Sequence, residues 1–122
     1  MNLQQQVILD NYHHPQNFGK PTKYTHHMRL ENFTCGDSID VYLNVEHGKV
    51  AEANFEGEGC SISIASASLL TEELKGKPIA DVQALTIDDL LKLLGIELTP
   101  SRRRCAYLSL EAAQKALSVD GS

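Results

Sequence analysis

The 122 residues carry 11 Lys and Arg against 16 Asp and Glu, a net charge of −5, with 42% hydrophobic and 22% charged residues. That is the length and balance of one globular domain, long enough to bury roughly two thirds of its unfolded surface without disulfide staples, and a single domain over residues 1–122 is expected. The acidic balance argues against a nucleic-acid partner, and no apolar run approaches the roughly 20 residues that cross a bilayer, so no membrane partner is expected either.

The opening Met1-Asn2-Leu3-Gln4-Gln5-Gln6 has neither the basic region nor the apolar stretch of a secretory leader, which makes the cytoplasm the expected compartment. Leu3, Val7, Ile8 and Tyr12 recur at helical spacing and predict a short helix over residues 2–12. The pattern stops at His13-His14-Pro15, because a residue before proline is pushed out of the helical region. Pro15 to Gly19 reads as a turn, and Met28, Leu30 and Asn32 alternate with polar neighbours as a first strand would. Ile39, Val41, Leu43 and Val45 then oppose Asp40, Tyr42, Asn44 and Glu46. After His47-Gly48-Lys49, residues Ala51, Ala53 and Phe55 resume the alternation, so residues 39–56 predict a β-hairpin.

From Cys60 the spacing becomes helical through Ile62, Ala65, Leu69 and Leu70, with a stop at Lys75-Gly76-Lys77-Pro78. Thr86 with Asp89 three residues later marks a capped helix start, with Ile87, Leu90, Leu91 and Leu94 as its buried stripe and Gly95 at its end. A last helix follows Thr99-Pro100-Ser101, with Cys105, Leu108, Ala112 and Ala116 on one face. The order predicts an α+β fold, a small three-stranded antiparallel sheet covered by helices.

Three widely separated cysteines fit a reducing compartment, where thiols bind metal or react, better than a disulfide scaffold. Cys35 lies in a loop with Gly36 and Asp37. Cys60 stands at a helix start, where unpaired N–H groups stabilise a thiolate. Cys105 is expected close to the start of the last helix, after Arg102-Arg103-Arg104. If the fold brings them together, Cys35, Asp37, Cys60 and Cys105 make a three-sulfur, one-oxygen set suited to tetrahedral Zn²⁺ or to the irons of a cluster. The alternative is three inert core cysteines, since free Cys often behaves as a small hydrophobe. The pairs His13-His14 and His26-His27 are read as exposed polar residues rather than ligands, and the arginine run as a solvated face at the start of the helix.

Cys35-Gly36-Asp37, the run Glu58-Gly59-Cys60-Ser61-Ile62-Ser63-Ile64-Ala65-Ser66-Ala67-Ser68, Lys75-Gly76-Lys77 and Arg104-Cys105-Ala106-Tyr107-Leu108 together resemble the U-type iron–sulfur cluster scaffolds, the IscU, SufU and NifU N-terminal family. The resemblance extends to Asn11 through Gly19, where His14 replaces the family's Asn before proline. It implies a SufE/NifU-like fold and a protein that accepts sulfur from a cysteine desulfurase, binds iron and assembles a transient [2Fe–2S] cluster for apo-proteins or carriers. By the same resemblance Cys35, Asp37, Cys60 and Cys105 are the metal and cluster ligands, Cys105 is a candidate persulfide acceptor, and Zn²⁺ occupies the cluster-free form.

Two departures shape the expectation. Arg104 stands where the IscU branch has histidine, as in the SufU branch, and cannot ligate metal. The stretch from Ile79 to Arg103 is too short for the SufU insertion, and Leu98-Thr99-Pro100-Ser101-Arg102 does not match the proline-rich segment that IscU offers its chaperone. The rival reading is a zinc-dependent sulfur acceptor that activates the desulfurase, and a third is a metal-free interaction domain.

Overall fold

The computed structural model describes residues 2–33 and 36–118. Helix α1 (Leu3–His13) is followed by strands β1 (His26–Asn32), β2 (Asp37–Glu46) and β3 (Lys49–Glu58), then by helices α2 (Ser61–Leu74), α3 (Ile79–Ala84), α4 (Ile87–Leu94) and α5 (Pro100–Ser118). The strands form one antiparallel sheet in the order β1-β2-β3. Ile39, Val41, Leu43, Ala53 and Phe55 point from it into a core shared with Leu70 and Leu74 of α2, Leu90 and Leu94 of α4, and Leu110 of α5. Helix α5 packs on β1 and β2, α2 on β3 and α5, and α1 on α2. Among the described residues no helix is long and apolar enough to cross a membrane.

The β2–β3 connection is a two-residue turn, His47-Gly48, with φ of 56° and 74°. Positive φ at both central residues is what a type I′ hairpin requires, and it matches the right-handed twist of the strands. Close to the turn the ladder shifts register at Asn44/Val45, pairing Val45 with Val50 but Asn44 with Glu52, so Ala51 is an extra residue in β3. This bulge corrects the sequence reading: Val50, not Ala51, is fully buried beside Ala53 and Phe55, and Val45 is only half-buried.

Three further differences have physical causes. Leu3 and Tyr12 of α1 are 76% and 38% exposed, and Ile8 alone of that helix is buried; the helix start is held instead by a reciprocal cap between Asn2 and Gln5. Tyr42 and Asn44, read as the outer face of β2, are buried: Tyr24 from the segment before β1 and His27 of β1 pack on the Tyr42 ring, and Thr25 bonds to Leu43 and Val45, the residues on either side of Asn44. Helix α3, absent from the sequence reading, is under two turns long.

Candidate metal centre

The hairpin register builds the site. Past the bulge Ser38 pairs with Glu58, which sets Asp37 level with Gly59, just before α2 begins. Without the extra residue Asp37 would sit one position lower on β3, against the strand rather than the helix start.

Asp37 is 2% exposed. Its carboxylate accepts the Cys60 N–H at 3.1 Å through Oδ1 and the Ser63 hydroxyl at 2.5 Å through Oδ2. Cys60 is the N-cap of α2 and Ser63 its N3 residue, and the Cys60 side chain makes no capping bond. Asp37 therefore supplies, from another element, the acceptor that the helix start lacks, and the positive end of the α2 dipole faces the carboxylate. The approach is close because Gly59 has no side chain: a Cβ there would lie 2.5 Å from Asp37 Oδ1.

Cys105 comes from α5 and is 5% exposed. Because α5 begins at Pro100, Cys105 is the sixth helical residue rather than close to the helix start, and the N-terminal argument that applies to Cys60 does not extend to it. What brings Cys105 to the site is the packing of α5 on α2, with Ala106, Ala112, Ala113 and Ala116 buried along α5.

Asp37, Cys60 and Cys105 each offer one ligand atom, and these atoms all lie within 4.8 Å of one another. Two sulfurs on one tetrahedral zinc stand about 3.8 Å apart, given Zn–S bonds of about 2.3 Å, so the donors are already gathered to nearly the span a metal demands. Two thiols and a carboxylate suit Zn²⁺ or cluster iron, and the set leaves a coordination position to fill. Cys35, the remaining sequence candidate, lies outside the described residues.

Among the described residues no histidine joins this group. His27 Nε2 instead sits 2.8 Å from Asp40 Oδ1, whose other oxygen accepts from Arg29 at 2.7 Å on the outer face of the sheet. Of the arginine run, Arg103 bonds back to Asp88 of α4 at 3.1 Å, while Arg102 and Arg104 are exposed. Arg104 also lines a groove of about 380 Å³ with Phe33, Tyr107 and Glu111, beside the cysteine-bearing turn of α5. Sequence reasoning missed Ser63 and Gly59. The signal for Ser63 was its place three residues after Cys60, since N-cap and N3 side chains face one another at a helix start.

A family profile described as the NifU-like N-terminal domain matches residues 3–119. The zinc-dependent sulfurtransferase SufU of Bacillus subtilis is 35% identical, covering 97% of this chain and 91% of its own. That alignment runs over 135 positions, more than the 122 residues here, so the relative carries residues with no counterpart in this chain. The iron–sulfur cluster assembly scaffold protein IscU of Escherichia coli is 30% identical, covering 91% of this chain and 88% of its own. Among solved structures, the N-terminal part of a NifU-like protein from Brucella abortus superposes with a TM-score of 0.77 at 17% identity, covering 93% of this chain and 90% of that one, which bears on the fold alone.

Proposed function

Because the chain belongs to the NifU-like N-terminal domain family, we propose that it is an iron–sulfur cluster assembly scaffold, a single cytoplasmic domain that accepts sulfur from a cysteine desulfurase, takes up iron and builds a transient [2Fe–2S] cluster for apo-proteins or carriers. The observation that carries this reading is the convergence of Asp37, Cys60 and Cys105, from β2, the start of α2 and the interior of α5, to within 4.8 Å. In this reading Cys35 is the fourth ligand. An oxygen donor among three thiolates holds iron less tightly than four sulfurs would, which suits a donor of clusters. Sulfur arrives when a scaffold thiolate attacks the outer sulfur of the desulfurase persulfide and displaces the desulfurase thiolate, with no net oxidation. Cys105 is the assigned acceptor; at 5% exposure it must be uncovered for that step, whereas Cys60 is half-buried.

A second reading, a zinc-dependent sulfur acceptor, is favoured by the similarity to the Bacillus subtilis sulfurtransferase and by Arg104 beside Cys105, a fixed cation that cannot itself ligate metal. Incubation with ferrous iron, cysteine and a desulfurase under anaerobic conditions separates the two. A scaffold accumulates cluster absorbance that a low-affinity chelator or an apo-ferredoxin then removes. A sulfur acceptor keeps its zinc and raises desulfurase turnover without gaining that absorbance.

A further inference from the structure

Ser63 is 1% exposed and is the N3 residue of α2. Its hydroxyl donates to Asp37 Oδ2 at 2.5 Å and lies 3.6 Å from Cys60 Sγ, so one buried side chain touches two of the three gathered donors. The other carboxylate oxygen, Oδ1, accepts the Cys60 N–H at 3.1 Å, an approach that is open because Gly59 has no side chain, since a Cβ there would lie 2.5 Å from Oδ1.

We infer that Ser63 is a positioning residue that fixes Asp37 as a one-oxygen ligand. To chelate through both oxygens, a carboxylate must turn both inner lone pairs onto one ion. A donor on each oxygen, both from the same helix turn, restrains that rotation. One-oxygen ligation beside thiolates keeps the site four-coordinate, as zinc and cluster iron require, and disfavours ions that take six or more oxygen-rich contacts. Hydrogen-bonding partners of metal ligands characteristically tune affinity 10–100-fold. The inference rests on the metal-site reading above.

The test compares wild type, Ser63→Ala and Ser63→Thr as full chains. Zinc affinity is read by competition with a chromophoric chelator, and coordination number by the absorption of the Co²⁺-loaded protein, since tetrahedral Co²⁺ absorbs far more strongly than five- or six-coordinate Co²⁺. Ser63→Ala is expected to bind zinc about 10–100-fold more weakly and to show weaker Co²⁺ ligand-field bands. Ser63→Thr, which keeps the hydroxyl, is expected to recover most of both. A Ser63→Ala protein that matches wild type in affinity and spectrum, or a Ser63→Thr protein as impaired as Ser63→Ala, overturns the inference and leaves the metal site standing. Wild type that binds neither ion overturns the metal-site reading along with it.

Discussion

Asp37 Oδ1 lies 3.1 Å from the backbone nitrogen of Cys60, so the first residue of β2 caps the start of α2 from 23 residues away. The same carboxylate is thus a structural acceptor and a candidate ligand. Asp37→Ala should lower the stability of the chelator-treated protein by about 1–3 kcal/mol, because it strands the Cys60 N–H and removes the acceptor of the Ser63 hydroxyl. Urea unfolding with the same midpoint as wild type would show that Asp37 contributes only through metal.

Gly59 tests the close approach separately. A methyl at this position meets Asp37 Oδ1 at 2.5 Å, and overpacking of this kind costs about 1–3 kcal/mol. Gly59→Ala should therefore displace the carboxylate and weaken zinc binding while leaving the β1–β2–β3 sheet signals in an amide NMR spectrum in place. Unchanged zinc affinity would mean that the β3–α2 junction gives way instead of Asp37.

The outer face of the sheet sets an alkaline limit. Burial under His27 and Tyr24, followed by donation of its hydroxyl to Glu56 at 3.1 Å and by the nearby Asp40 charge, pushes the Tyr42 phenol up from 10.0 to about 12. A group whose folded value is raised contributes stability that is complete below its unfolded value and is lost as pH rises through the folded one. Stability should therefore fall between about pH 10 and pH 12, and Tyr42→Phe should flatten that decline. An identical alkaline slope in the two proteins would remove Tyr42 as its source.

Much of this architecture was legible because the chain alternates cleanly where it is half-buried. Ile39, Val41 and Leu43 announce β2, and the Thr86/Asp89 pair announces α4, whose reciprocal cap is present. The bulge was not legible: Ala51 and Ala53 keep a period of two, and only the pairing of Val50 with Val45 reveals the extra residue. Helix α3 is too short for periodicity to register. The candidate ligands were legible as residue types at special positions, but their meeting depends on the register that this bulge sets and on the packing of α5 against α2. Cys105 is the sixth residue of an α5 that starts at Pro100, an interior residue rather than a helix-start thiol, and its burial follows from the packing of α5 against α2 and the sheet.

The most direct test is to quantify iron, zinc and acid-labile sulfide on protein purified and reconstituted without oxygen, with Cys60→Ser and Cys105→Ser alongside. Wild type should hold iron and sulfide in equal amounts after reconstitution, and each serine variant should lose most of both. Wild type that loads no metal, or serine variants that load as much as wild type, would contradict the assignment of Asp37, Cys60 and Cys105 as the site.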